Sequence, residues 1–525
     1  MKDIFNRLKL IVLSIVLFVG CSEHLDVDTY NNITGSSFWK SPSDAATYVI
    51  GIHADVAGIL GGNNNTLNWT DGRSDLFTPG ALGPRLTAPA QLHTQTALAG
   101  GGTWTSSYNT IHHCNQLLTQ IENIEFDDES EKTKIAAAGY FFRAFLYFDL
   151  VRIYGDVPLV LDPTLGKPAL EDFFSRSSVD DIFAQIKADV DLAIAGLPEG
   201  IADKNFISKA AAYALKAEVY MWTGKALTAR NAPVVADLNT AVQAIDAIPG
   251  ASGGSVSFVD SDWKSIFTRQ ANNSPEYIWA TYYDYIVGPA NNVHNAITLR
   301  IDNVPLEMQG TFPIAVKDEG LNRIQIGANM NTIFKKYQTV DPHDDPFDKT
   351  DVPPYTDYRD LRDINSIVDL LGDQTTIVSI KFPGILVESD ERRYWDNDLP
   401  VYRWSGMLLL KAEALNTIGG QTATVVDILN MTRNRAGLAD YPGATDQATL
   451  EDEILDERAR ELLAENKRWW DLLRAHKAGS NVPRFMDTRG DDSTDSNVWD
   501  FYYWPLDESV LLKNDQLVQS PGYVN

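Results

Sequence analysis

Cysteine is nearly absent from this chain. Only Cys21 and Cys114 occur in 525 residues, which excludes a disulfide framework and a cysteine-rich zinc module. Positive charge is also scarce. Lys and Arg number 44 against 71 Asp and Glu, a net charge of −27. So acidic a surface repels phosphate backbones and anionic headgroups, so neither nucleic acid nor charge-driven membrane adhesion is expected. No apolar run reaches the ~18 residues that suggest a membrane-spanning helix. Zincin, Walker A and dinucleotide fingerprints are missing, so no metal and no cofactor are expected. What is present is ordinary for a globular protein: 44% hydrophobic and 22% charged residues, enough to build a core.

The N-terminus is a short exception to this balance. Lys2, Arg7 and Lys9 precede Leu10 to Val19, which is apolar apart from Ser14. A basic start and an apolar run of that length fit a secretion signal. The run ends Val19-Gly20-Cys21. A small residue directly before cysteine is the cleavage pattern of lipoproteins. Residues 1–20 therefore read as a signal peptide, Cys21 as the lipidation site and 21–40 as a lipidated tether. Acyl chains contribute ~0.8 kcal/mol per buried CH₂ and would anchor the chain to a membrane. A plain signal peptide followed by an incidental cysteine is the alternative. Cys114 lies in an apolar-periodic stretch and is expected in the core.

Helical periodicity dominates from there on. It predicts helices over Asp44–Leu60, Thr103–Ile124, Lys132–Tyr154, Ser178–Leu197, Ser208–Thr223 and Ala236–Ile248. Later helices are predicted over Val401–Ile418, Ala423–Arg435 and Leu450–Lys477. Gly155 and Pro158 close one of them, and Ser178 is a plausible N-cap for another. Glu276–Tyr283 is aromatic and strand-prone. Residues 284–399 are poor in helical period and rich in Pro, Asn, Asp and Gly, and the last ~45 residues are irregular. Ser178–Leu197 with Ser208–Thr223, and Val401–Ile418 with Ala423–Arg435, form helix pairs. Ala210, Ala211, Ala214 and Ala217 would let neighbouring helices approach closely. The expected fold is mainly α: a tetratricopeptide-like superhelix of helix hairpins with long irregular loops and short β segments. It forms one domain over 41–525, with a loop-rich insertion at about 284–399.

Several blocks carry a family resemblance. Cys21 is followed by Leu25-Asp26. Trp104, Tyr108, Ile111 and Asn115 precede Ala138–Phe148, which runs into Tyr154-Gly155-Asp156-Val157-Pro158. Tyr402-Arg403-Trp404 leads to Leu408–Asn416, then Leu429-Asn430 and Arg433–Gly437. Glu457-Arg458, Glu461-Leu462 and Arg468-Trp469-Trp470-Asp471-Leu472 follow, with Asn466 where Gly is usual. Trp504-Pro505-Leu506 comes last. In this order the blocks resemble the SusD-like (RagB/SusD) family of outer-membrane nutrient-binding lipoproteins. The resemblance implies a cell-surface, lipid-anchored glycan binder without catalytic activity. It also implies a partner, a SusC-like TonB-dependent transporter that receives the oligosaccharide. A helical-repeat lipoprotein scaffold with no small-molecule ligand is the alternative from a different class.

Catalytic readings are weak by comparison. Gly250-Ala251-Ser252-Gly253-Gly254 fits a nucleophile elbow, but a helix and Pro249 precede it where a strand is needed. His112 and His113 point ~100° apart on a helix and cannot share a metal. Glu457, Glu461 and Glu465 lie one turn apart, and Glu457/Arg460 and Glu465/Arg468 read as solvated surface pairs contributing a few tenths of a kcal/mol. The acidic runs around Asp341–Asp351 and Asp487–Asp495 lack calcium-loop spacing. A binding surface remains. Sugar sites need aromatic faces and planar donors and acceptors. Asn68–Asp75 and Tyr282–Asn292 offer that mixture in loops, and the resemblance places ligand contacts in corresponding loops. Trp69, Tyr283 and Tyr285 are the expected stacking residues. Asp71, Arg73, Asp75 and Asn292 are the expected hydroxyl contacts.

Overall fold

The computed structural model describes residues 38–62, 65–79, 93–164, 173–226, 232–286, 291–298, 324–337, 360–369, 377–382, 384–387, 389, 392–489 and 500–523. The signal peptide, Cys21 and nearly all of the tether lie outside the described residues, as does the acidic run at 341–351.

Apart from Leu450–Lys477, the predicted helices are present, with shifts of a few residues in their ends. In chain order they are α1 (Pro42–Leu60), α2 (Asn65–Trp69), α3 (Thr105–Gln120), α4 (Glu129–Tyr154), α5 (Val179–Gly196), α6 (Lys209–Met221) and α7 (Val235–Ala251). After the strand-prone segment come α8 (Asn292–Ile297), α9 (Ala328–Lys335), α10 (Leu361–Ser366), α11 (Trp404–Ile418), α12 (Thr422–Arg435), α13 (Gln447–Glu461) and α14 (Arg468–Arg474). Three short helices follow: α15 (Ala478–Asn481), α16 (Pro483–Arg489) and α17 (Glu508–Leu511). The molecule is mainly helical.

Local chemistry sets the helix ends. The Asp128 carboxylate accepts from Ser130 N at 2.8 Å and starts α4. Gly155, at φ +73°, ends it in a backbone conformation that costs glycine little. The Ser178 hydroxyl accepts from Asp181 N at 3.1 Å and starts α5. α4 packs against α5, and α6 against α7, as hairpins. Ala210, Ala211, Ala214 and Ala217 are all fully buried at these contacts, where a small side chain lets backbones approach. Arg143 on α4 donates to both oxygens of Asp189 on α5, at 2.8 Å each, and to Asn115 Oδ1 on α3 at 3.0 Å. One buried guanidinium thus fixes three helices in register. Cys114 is buried as expected.

The Glu276–Tyr283 segment contains β2 (Tyr277–Thr281), which pairs antiparallel with β8 (Leu399–Arg403). Every residue of both strands is buried. Trp279 on β2 meets Phe141 and Phe145 of α4 edge to face at 5.3 and 5.2 Å. The first residues of the expected Val401–Ile418 helix are strand for this reason. Between these strands, the loop-rich segment contributes three strands of a small sheet, which a strand from residues 77–79 completes. β1 (Phe77–Pro79), β3 (Ile324–Ile326), β4 (Ile367–Asp369) and β5 (Ile377–Ser379) lie in the order β1-β3-β5-β4. β6 (Ile385–Val387) pairs separately with β7 (Arg392–Tyr394).

The predicted Leu450–Lys477 helix is a correction. It is broken after Glu461, and α14 restarts at Arg468. Ala464 and Asn466 have φ of +63° and +60°, left-handed values that no α-helix accepts. The surface pairs expected on it are a second correction. Glu457, Arg460, Glu461, Glu465 and Arg468 are all buried. Glu457 accepts from Arg362 at 2.6 Å and from Arg460 at 2.9 Å. Glu461 accepts from Arg435 at 2.7 Å, and Glu465 from Lys381 at 2.6 Å. Arg403 donates to Glu276, Glu461 and Glu465 at 2.9, 3.1 and 2.9 Å. Glu465 therefore does not pair with Arg468. The ionic network lies between α13, α12, α10 and β8, and the partners satisfy one another where water is excluded.

Candidate functional site

The predicted loop at residues 68–75 folds against the C-terminal third of the chain. A 3₁₀ turn over Asp71–Arg73 follows α2. The Asp71 carboxylate accepts from the backbone N of Asn466 and of Arg468, both at 3.0 Å. It caps the start of α14, where unpaired N–H groups favour an anion. Burial pushes its carboxyl up to about 7, against the pull of those two bonds. Arg73 donates to the carbonyls of Tyr502 and Phe501 at 3.0 and 3.2 Å. Its guanidinium lies 4.2 Å from the Trp469 ring centre and 5.0 Å from that of Trp504. Asp75 accepts from Arg468 at 2.8 and 2.7 Å, and from Asn329 at 2.9 Å.

Asp71, Arg73 and Asp75 are therefore buried and consumed by internal partners. They cannot meet sugar hydroxyls in this fold, which corrects their expected role. Trp69 keeps partial exposure, edge-on to Tyr154 at 6.3 Å. It lines a cavity of about 60 Å³ with Trp470, Lys467 and Glu218. Ordinary ligand pockets span ~300–1,000 Å³, so this one has room for water rather than a sugar ring.

The second predicted loop divides residue by residue. Tyr283 is buried, and its Oη donates to the Ala57 carbonyl at 2.7 Å. The hydroxyl is pressed against the end of α1, since a Cβ added at Gly61 would lie 2.2 Å from it. Tyr283 is thus a packing residue, a further correction. Tyr285 is half-buried and stacks on Tyr394, with ring centres 4.6 Å apart. Near its ring, Arg269 bridges Asp284 and Asp396 at 3.0 and 2.5 Å. Asn292 is half-buried and donates to the Gly62 carbonyl at 2.6 Å. Tyr283 and Asn292 are brought together at the Gly61–Gly62 end of α1, and Trp69 lines its cavity beside Ile59 and Leu60 there. Sequence reasoning passed over Tyr282, the exposed ring of this loop. Alternation along extended chain, which puts adjacent side chains on opposite sides, was the available signal.

The catalytic alternatives lose their groups. Ser252 is buried, and its hydroxyl donates to the Pro249 carbonyl at 2.8 Å. His113 contacts Asp55 at 2.8 Å. Among the described residues no cluster of His, Cys, Asp and Glu could hold a metal. No helix among them is long and apolar enough to cross a membrane.

Comparison with known proteins completes the picture. Residues 374–523 match the SusD family, and residues 86–221 match a family described as starch-binding and associating with the outer membrane. The SusD-like protein P38 of Formosa agariphila is 26% identical across 98% of each chain. The chain belongs to the SusD family. The fold agrees. A SusD superfamily protein from Bacteroides fragilis superposes with a TM-score of 0.75 at 22% identity, covering 93% of this chain and all of that one. A laminarin-binding SusD-like protein superposes with a TM-score of 0.70 at 20% identity, covering 92% of this chain and all of that one. The family blocks at Arg403, Arg435, Glu457 and Glu461 are the buried ionic network itself, and Arg468 forms its own buried pair with Asp75. What marks the family in this chain is scaffold rather than ligand surface.

Proposed function

We propose that this SusD-family chain is a non-catalytic oligosaccharide-binding lipoprotein. Acyl chains on Cys21 hold it at the outer membrane, exposed at the cell surface. It delivers bound glycan to a SusC-like TonB-dependent transporter. The observation that carries this reading is the pair of family matches, one of them described as starch-binding at the outer membrane. The laminarin-binding relative of the same fold supports the same ligand class.

The chemistry of the chain is consistent with binding rather than hydrolysis. A glycosidase needs two carboxyl groups flanking a sugar, ~5–9.5 Å apart. The glutamates that could be imagined in that role, Glu457, Glu461 and Glu465, are buried in ion pairs. Of the expected ligand contacts, Trp69, Tyr285 and Asn292 keep solvent access, and Tyr285 is the strongest stacking candidate of the three. Electrophoresis of the protein through gels containing starch or laminarin tests the reading. Retarded migration is expected in at least one gel, with no reducing ends released. Fractionation of cells tests the anchor: Cys21→Ala should move the protein out of the membrane fraction.

A further inference from the structure

A groove on another face of α1 carries a second, unassigned combination of groups. Ile50, Phe206 and Tyr282 are 55%, 42% and 41% exposed. They edge two adjoining hollows of about 360 and 510 Å³, which share Ile50, His53, Asp203 and Phe206. Each falls within the ~300–1,000 Å³ of small-molecule sites. The His53 ring lies edge-on to Phe142 at 4.6 Å and to Phe206 at 4.8 Å. It makes no hydrogen bond to a described residue. Burial pushes its imidazole down to about 4, with Asp203 opposing, so the ring is neutral at pH 7 and can both donate and accept.

The opposite wall is made of amides. Asn272 is held in place by Asp203, to which its Nδ2 donates at 2.8 Å, and by Lys204 N, from which its Oδ1 accepts at 2.7 Å. Gln270 is exposed, and its side chain has no described partner. The larger hollow contains one charged residue, Asp203, and no Lys or Arg. The Lys204 ammonium turns away to the carbonyls of Ser255 and Ser274. Arg269, next to Gln270, is neutralised by Asp284 and Asp396. In the smaller hollow, Lys134 is accompanied by Glu131 and Asp203.

We infer that this groove binds an uncharged oligosaccharide. Sugar rings lie over Phe206 and Tyr282, and hydroxyls meet Gln270, Asn272 and His53. The inference rests on the glycan-binding reading and adds to it a place and a charge class. Half-exposed aromatic faces beside planar amides suit C–H faces and hydroxyls together. In the larger hollow a uronate or sulfate would sit beside Asp203 with no Lys or Arg in the lining to pair it, which discriminates against anionic glycans there.

Calorimetric titration of the protein with maltoheptaose, laminarihexaose and hexamannuronate tests this. At least one neutral saccharide should bind and the uronate should not. Phe206→Ala and Tyr282→Ala should each weaken that binding about tenfold, as expected for loss of one stacking ring. Gln270→Ala should also weaken it, and it disturbs no packing. Gln270→Ala should keep the wild-type melting temperature, and the two ring variants should stay folded, because these side chains reach solvent. Wild-type affinity in all three variants would overturn the groove and leave the glycan reading standing. Uronate bound as tightly as the neutral saccharides would overturn the charge class. A wild-type protein that binds no saccharide would overturn the glycan reading, and the groove with it.

Discussion

Arg468 holds Asp75 across 393 positions of sequence, with Nε to Oδ1 at 2.8 Å and Nη2 to Oδ2 at 2.7 Å. Both side chains are buried. This bidentate pair ties a loop with the composition of a sugar site to one of the family blocks of the chain. Together with Asp71 on the start of α14 and Arg73 between Trp469 and Trp504, it makes residues 71–75 a structural clasp. Removing one partner of a buried pair strands the other charge and costs about 3–5 kcal/mol. Asp75→Ala should therefore lower unfolding free energy in urea by about that much. A variant of full stability that lost saccharide affinity would instead return Asp75 to the binding surface.

Glu457 predicts a pH dependence. Burial opposes ionisation of its carboxyl. The charges of Arg362 and Arg460, with hydrogen bonds from Arg362 and Thr432, outweigh burial and hold it at about 2, below its ordinary 4.5. A group depressed in the folded state contributes stability above its unfolded pKa and loses it as pH falls through the folded one. The window is therefore pH 4.5 down to 2. Glu457→Gln should be less stable than wild type by about 3–5 kcal/mol at pH 7. The gap should narrow between pH 4.5 and 2. A gap independent of pH, read from thermal melts, would contradict this role.

Asn466 tests the break between α13 and α14. Its φ of +60° is costly for a side chain with a Cβ, and its Oδ1 accepts from the Thr70 hydroxyl at 3.0 Å. Asn466→Ala should cost about 1–2 kcal/mol. Asn466→Gly relieves the backbone and loses only the hydrogen bond, so its cost should be smaller. Calorimetric melting of the two variants gives the order directly.

Tyr283 and Tyr282 make a contrast between adjacent residues. Tyr283→Phe removes one of two hydrogen bonds to the Ala57 carbonyl, which keeps the one from Gly61 N, and should lower stability by about 1 kcal/mol without changing saccharide affinity. Tyr282→Phe should leave the melting temperature unchanged.

Much of the helical scaffold is legible in the sequence because its signals are local. Ser178 starts α5 and Gly155 ends α4 through contacts within a few residues. The ionic network is not legible in the same way. Glu457 and Arg460 show i,i+3 spacing whether the helix face is wet or buried. Burial is decided by Arg362, Arg403 and Arg435, which arrive from other elements. Asp71, Arg73 and Asp75 were misread for a related reason. A polar loop looks the same whether it faces water or caps a helix ~400 residues away. The break at Leu462–Lys467 is composed of helix formers apart from Asn466, and tertiary contacts override that preference.

The central claim is that this chain binds oligosaccharide and does not cleave it. The most direct measurement is calorimetric titration of wild-type protein against starch- and laminarin-derived oligosaccharides, followed by chromatography of the recovered sugar. The account predicts saturable binding of at least one of them, with that oligosaccharide recovered at its original length. Shortened products after incubation, or no heat of binding from any of them at millimolar concentration, would contradict it.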